Sequence, residues 1–211
     1  MTSAANTSSA VYAVLLAAGA SRRFGQDNKL LIEIDGTPLV RRLAERLLAS
    51  RVAGVIVVTG FEAERIGEAL SGLDIQFAEN PDFADGLASS LRRGIAALPE
   101  GAAGAMIVLA DMPGLTRALA DRLLEAFAQT GGTGIVYPVG ARARQGNPVI
   151  WPARYFEQLQ QLSGDAGAKR LIRQYADETQ PVAVECEAML RDIDTLGDAG
   201  QNDTPPLEEE S

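Results

Sequence analysis

The feature that most restricts the fold is an abrupt transition near the amino terminus. The apolar run of Val11 and Ala13 to Leu16 stops at the small turn Ala17-Ala18-Gly19, which is followed by Arg22, Arg23 and Lys29. A run this short and this continuously apolar fits a strand buried on both faces, and therefore a sheet with helices on either side. The turn carries no large side chain, so a ligand can approach its backbone and its amides can point at an anion. The cations behind it would add the forked or mobile positive charge that backbone dipoles lack. Because the chain has a formal net charge of −9, these local cations suggest a local anion. The same order of residues also describes an ordinary first βα unit with solvated arginines. Its spacing matches neither the GK[ST] of a Walker loop nor GxGxxG.

Composition removes whole classes of chemistry. The chain contains no histidine, which excludes Ser-His-Asp hydrolysis, Cys-His proteolysis, HExxH metal sites and phosphohistidine relays. Any reaction must run on carboxylates, cations, hydroxyls and a hard metal. A sequence pI near 4.6 argues against nucleic acid as a partner, since that grip needs a basic face. No apolar stretch approaches the roughly 20 residues of a membrane span. The single cysteine, Cys186, cannot form an internal disulfide and fits a reducing compartment. A cytoplasmic protein without membrane association is expected.

Strand and helix signals alternate along the first 130 residues. After the first strand, Asp35-Gly36 marks a turn, and Thr37 is placed to cap a helix with Pro38 at its first position. Leu39, Val40, Leu43, Leu47 and Leu48 share one face of that helix. Gly54 to Thr59 reads as a second buried strand, Glu62 to Leu70 as a short helix, and Asp74 to Ala78 as a weaker strand. Asp85 to Leu98 reads as a helix with Leu87, Leu91, Ile95 and Leu98 on one side, and Arg92 and Arg93 toward solvent. Ala105 to Ala110 is the fourth strand and ends on Asp111, and Thr116 caps a helix running to Gln129. Short strands at 135–138 and 148–151, helices at 153–162 and 165–175, and a strand at 182–185 complete the pattern. The expected fold class is α/β, a single-domain Rossmann-like three-layer sandwich with a mostly parallel sheet. Its domain spans 11–199, between a disordered leader at 1–10 and an acidic flexible tail at 200–211.

Ligands in such sheets lie beyond the carboxyl ends of the strands. The segments AAGASRR, ENPD and DMP all follow strands and can converge on one crevice. Asp111, at the end of an apolar strand, is placed to offer a hard cation to phosphates; the alternative is a cap in the DMPG turn. On a strand, Asp192 and Asp194 would share one face as further ligands, or they are ordinary turn carboxylates. Ser89 and Ser90 fall in the first turns of a helix beside Gly86, where amides and hydroxyls can meet a ligand or simply cap the helix.

The pattern LxAAGxSxRxG, here Leu15 to Gly25, followed by Lys29, resembles the nucleotide-binding signature of the MobA-like nucleotidyltransferases. Later segments (ENPDFADGLASSLRRG, LADMP, GNPV, GDAGAKRL and DIDT) resemble the molybdenum cofactor cytidylyltransferase branch, so the similarity covers about Tyr12 to Asp198. It implies transfer of CMP from CTP to a molybdopterin-type cofactor, with Mg²⁺ as cofactor and pyrophosphate released. A molybdoenzyme or its maturation chaperone would be a further partner. Arg22, Lys29 and Asp111 would be catalytic, and Ala17, Ala18, Gly19, Gly86 and Ser90 would bind the nucleotide. Asp111, Asp194 and Asp192 would hold the metal, while Asn147 and Asp165 would border the acceptor pocket. Many relatives carry histidine where Asn147 stands. The AAG turn points to CTP, since the guanylyl branch commonly has AGG. A guanylyl or sugar-phosphate nucleotidyltransferase, or a noncatalytic cofactor-delivery module, are the alternatives.

Overall fold

The computed structural model describes residues 10–20, 28–140, 145–164 and 168–184. Within them the strands are β1 (Val11–Ala17), β2 (Glu33–Ile34), β3 (Thr37–Pro38), β4 (Val55–Thr59), β5 (Gln76–Glu79), β6 (Gly104–Leu109), β7 (Ile135–Val139), β8 (Val149–Pro152) and β9 (Thr179–Ala183). The α-helices are α1 (Leu39–Leu48), α2 (Ala63–Ala69), α3 (Leu87–Ala96), α4 (Arg117–Gln129), α5 (Phe156–Gln160) and α6 (Lys169–Gln174). Seven strands form one sheet in the order β5-β4-β1-β6-β8-β7-β9. All run parallel except β8, which is antiparallel to both β6 and β7.

Alternation along β1 explains the three layers. Ala13, Leu15 and Ala17 point into one core, with Leu39, Leu43 and Leu47 of α1, Ile66 of α2 and Leu123 of α4. Val14 and Leu16 point into the other, with Leu91 and Ile95 of α3, Leu159 of α5 and Ile172 of α6. A strand covered on both faces has no polar side to present, which is why its sequence is apolar throughout. The chain steps outward from β1 to β4 to β5 and then returns past β1 to β6. Right-handed crossovers require the return helix to lie on the face opposite the outward ones. Accordingly α1 and α2 share one core and α3 packs in the other.

Several expectations change at the element ends. Thr37 belongs to β3 and caps nothing; α1 starts at Leu39 without a side-chain cap. Asp35 (φ 53°) and Gly36 (φ 74°) turn β2 into β3 as a two-residue hairpin that the turn signal alone did not reveal, with the positive φ pair that Asp-Gly favours. The helix expected from Asp85 is divided into a 3₁₀ turn, Phe83–Asp85, and α3, because Gly86 lies at φ 97° and ψ −179°, a region open only to glycine. Leu87 is consequently the first residue of α3 and is 37% exposed instead of buried. The helix at 153–162 is a 3₁₀ turn, Ala153–Tyr155, leading into α5. The last strand lies at Thr179–Ala183, upstream of the expected 182–185. Thr116 does cap α4, accepting from Leu119 N at 3.1 Å. Among the described residues no helix is long and apolar enough to cross a membrane.

α3 sits close on the sheet because Gly94 has no side chain. A Cβ there would lie 2.3 Å from Val14 Cγ1 and 3.1 Å from Val58 Cγ2. Both valines are buried and stiff at χ1. Gly94→Ala is therefore expected to destabilise the protein by about 1–3 kcal/mol despite alanine's better helix propensity. Urea denaturation measures this, and a variant more stable than wild type would contradict the packing.

Candidate functional site

The sheet reverses its winding direction between β1 and β6, and this is where open α/β sheets bind ligands. The two strands pair in register from Val11 opposite Gly104 to Leu16 opposite Leu109. Ala110 N donates to Leu16 O at 3.2 Å, which extends the ladder one residue and sets Asp111 beside the loop that follows β1. On the other side, Asn80 N donates to Thr59 O and Phe61 N to Ala18 O, so the segments after β4 and β5 close on the same loop. Gly60 permits this: a Cβ there would stand 2.7 Å from Phe83 Cβ and 2.9 Å from Ala18 Cβ.

These segments enclose a cleft of about 370 Å³. Its polar lining includes Lys29, Ser90 and Asp111, its backbone lining Ala18, Gly19 and Gly86, and its apolar lining Phe83 and Leu87. Gly19 is exposed, and among the described residues a Cβ there would meet nothing within 4 Å. Ala17 is buried at the end of β1 and lies behind this lining. Asn147 lies just before β8, at the same end of the sheet, and is not part of the lining. Arg22, Arg23, Asp165, Cys186, Asp192 and Asp194 fall outside the described residues.

Lys29 stands on a 3₁₀ turn, Lys29–Leu31. Asn28 caps that turn, its Oδ1 accepting from Leu30 N at 3.1 Å, and Leu30 anchors it in the core. Lys29 Nζ reaches Asp111 Oδ2 at 2.6 Å across 82 positions of sequence. Both side chains keep some contact with solvent, at 17% and 21% exposure. Asp111 Oδ1, in contrast, is buried and, among the described residues, without a hydrogen-bond partner. A buried carboxylate oxygen left unpaired is costly, and one opening beside a cleft is suited to a cation. Among the described residues no cluster of three or more His, Cys, Asp or Glu side chains gathers to hold a metal alone.

Glu62 adopts φ 51° at the start of α2. A hydrogen bond from the Arg65 guanidinium holds its carboxyl below the ordinary range, against a smaller opposing effect of desolvation; the neighbouring Asn28 amide lowers it less. Among the described residues neither Asn28 Nδ2 nor Glu62 Oε2 makes a hydrogen bond of regular geometry.

Four residues tie together segments around the cleft, and sequence reasoning assigned none of them that role. Asn80 is 3% exposed and donates through Nδ2 to Ser89 Oγ at 2.9 Å and Ser90 Oγ at 3.0 Å. Arg93 is exposed, as expected, and Arg92 half-buried; each also binds a backbone carbonyl, Arg92 that of Leu162 at 2.6 Å and Arg93 that of Glu79 at 2.7 Å. Arg46 donates to Pro113 O at 2.6 Å and Leu115 O at 2.7 Å, pinning the loop that follows Asp111. Burial, and then the like charge of Arg42, lowers its pKa. The ENPD motif was the only signal for Asn80. A carbonyl partner leaves no mark in sequence, so the arginines had none.

Removing the Arg46 guanidinium leaves two carbonyls without their partner. Arg46→Ala is expected to cost about 1–3 kcal/mol and to speed amide exchange in 111–115 more than in β6. Hydrogen exchange read by mass spectrometry checks this, and unchanged exchange in 111–115 would contradict the pinning.

Similarity to known proteins agrees with this geometry. Nicotine blue oxidoreductase of Paenarthrobacter nicotinovorans is 30% identical over 190 residues, 88% of this chain and 93% of its own length. A probable molybdenum cofactor guanylyltransferase of Natronomonas pharaonis is 37% identical over 114 residues, 53% of this chain and 54% of its own. In structure, a nucleotidyl transferase from Methanothermobacter thermautotroptrophicus superposes with a TM-score of 0.76 at 23% identity, covering 90% of this chain and 94% of that one, which establishes the shared fold. A family model described as the MobA-like NTP transferase domain matches residues 13–179, which span β1, the cleft and the start of β9, and the chain belongs to that family.

Proposed function

We propose that the protein is a nucleotidyltransferase that moves a nucleoside monophosphate from an NTP to the phosphate of a molybdopterin-type acceptor. The observation that carries this reading is the pairing of Lys29 Nζ with Asp111 Oδ2 at 2.6 Å, on a cleft at the switch point, with Asp111 Oδ1 buried and, among the described residues, unpaired. A half-buried cation next to a carboxylate with one free oxygen suits a ligand that brings both phosphate and a divalent ion. Asp111, with Asp194 and Asp192, would hold that ion, taken as Mg²⁺, which when bound supplies Lewis-acid neutralisation of phosphate charge.

The chain's own groups supply position and charge. Gly19 and Ala18 allow the nucleotide to lie against backbone, while Gly86 and Ser90 bound it on the α3 side. Lys29 and Arg22 meet the triphosphate. An acceptor phosphate oxygen attacks the α-phosphorus, the bond from the α-phosphorus to the bridging oxygen breaks, and pyrophosphate leaves with the electron pair. Charge grows on the equatorial and leaving oxygens, where fixed cations lower its energy. The attacking phosphate is already ionised at neutral pH, so a site without histidine needs no general base. Asn147 and Asp165 would border the acceptor.

CTP is the donor suggested by the Ala17-Ala18-Gly19 turn, while the guanylyltransferase name of a relative supports GTP. A second reading, oxidoreduction, is favoured by the name of the relative matching 88% of the chain. Pyrophosphate release across the four NTPs with a molybdopterin acceptor and Mg²⁺ separates these readings. Release that depends on both NTP and acceptor supports nucleotidyl transfer and identifies the base. Oxidation of NADH or NADPH by a reducible dye, without pyrophosphate, would replace it.

Asp111→Asn and Lys29→Ala are each expected to lower kcat by two to three powers of ten, by analogy with loss of an oxyanion donor. Steady-state pyrophosphate release measures both. Among the described residues the methyl of Gly19→Ala meets no atom within 4 Å, so the Tm of this variant is expected to stay at the wild-type value while KM for the NTP rises roughly tenfold as the methyl displaces the ligand. A Gly19→Ala variant with unchanged KM would remove Gly19 from the nucleotide site.

A further inference from the structure

The hydrogen bonds around Asn80 have a direction, and it ends in the cleft. Asn80 Oδ1 accepts from Asp82 N at 3.1 Å, so the amide is oriented with both Nδ2 protons toward α3. One goes to Ser89 Oγ and the other to Ser90 Oγ. Ser89 passes its own proton back to Gly86 O at 2.8 Å. Ser90 is 6% exposed, lines the cleft, and among the described residues its hydroxyl proton has no acceptor. Two serines, adjacent in sequence and sharing one donor, thus have different fates: one is closed on the backbone and the other opens on the ligand.

We propose that Asn80 sets the hydrogen-bond polarity of the cleft, holding Ser90 as a donor so that the bound nucleotide must present an acceptor oxygen or nitrogen of its base or ribose at that point. The inference rests on the nucleotide reading of the cleft and deepens it. Asn80 touches no ligand and is a positioning residue. With an Asn80 proton occupying one lone pair of Ser90 Oγ, the hydroxyl hydrogen turns away from Asn80, and the cleft is the direction left. A carboxamide is required, because a carboxylate at position 80 would itself accept the Ser90 proton and reverse the group seen by the ligand. A ligand amine at that point would face a donor and be rejected, since a buried polar group left unpaired is penalised.

The test is a double-mutant cycle on the full chain, with CTP and GTP each titrated calorimetrically in the presence of Mg²⁺. Ser90→Ala is expected to weaken the nucleotide that binds wild type about tenfold, and Asn80→Ala by a similar factor. The double variant is expected to bind within about twofold of Ser90→Ala, since Asn80 acts only through Ser90. Asn80→Asp is the second variant, because it keeps the acceptor for Asp82 N; it is expected to weaken binding at least as much as Asn80→Ala, and to lose nothing further in the Ser90→Ala background. A merely structural Asn80 would weaken binding by the same factor in both backgrounds, and that additivity would overturn the proposal. So would wild-type affinity in Asn80→Asp. If neither CTP nor GTP binds wild type, the nucleotide reading of the cleft falls and this inference falls with it. Binding to wild type with additive variants removes the inference alone.

Discussion

The ladder between β1 and β6 is the constraint on which the rest of the cleft depends. Six register pairs, from Val11 with Gly104 to Leu16 with Leu109, hold two strands that are separated by more than eighty residues of chain. Pairing so distant requires a long loop to be closed before it is rewarded, and its reward here is burial on both faces. Once the ladder forms, the positions of its ends are no longer free. Ala110 continues the ladder onto Leu16, and Asp111 emerges beside Ala18 and Gly19. Lys29 arrives from the other direction on a turn anchored by Leu30.

The cleft sets one cation against one anion in an acidic molecule. The chain carries a net charge of −9, yet Lys29 is held at a point where a strand delivers a carboxylate. Their contact satisfies Asp111 Oδ2 and leaves Oδ1 buried and, among the described residues, unpaired. Such a carboxylate is half solved as a structural element and half open as a ligand. Arg46 contributes differently: it binds two carbonyls of the loop after Asp111 and so spends its charge on backbone geometry.

α3 is where expectation and structure part most clearly. Its apolar periodicity identified Leu91 and Ile95 as core residues, and both are buried. The same periodicity assigned Leu87 to that face, but Gly86 at φ 97° ends the preceding turn and starts the helix two residues later than expected, at the cleft mouth. Arg92 and Arg93 looked like a solvated pair because arginines on a helix usually are. Arg93 is exposed as expected and Arg92 half-buried, and both also hold backbone carbonyls, of Glu79 and Leu162, tying two segments to one helix. Asn80, Ser89 and Ser90 were visible as polar letters near a Gly-bearing turn, but which hydroxyl is closed and which is open depends on the path of the chain between them.

Local order by itself determined the α/β class, the burial of the first strand on both faces, the cap at Thr116 and the absence of imidazole chemistry, because period, turn residues and composition act over a few positions. The tertiary structure alone decided which letters meet. The contact between Lys29 and Asp111, the insertion of antiparallel β8 between two parallel strands, the close seat of Gly94 on Val14 and the directed amide of Asn80 all follow from strand order. Strand order is settled by cooperative burial across the whole sheet, and no short stretch of sequence contains it.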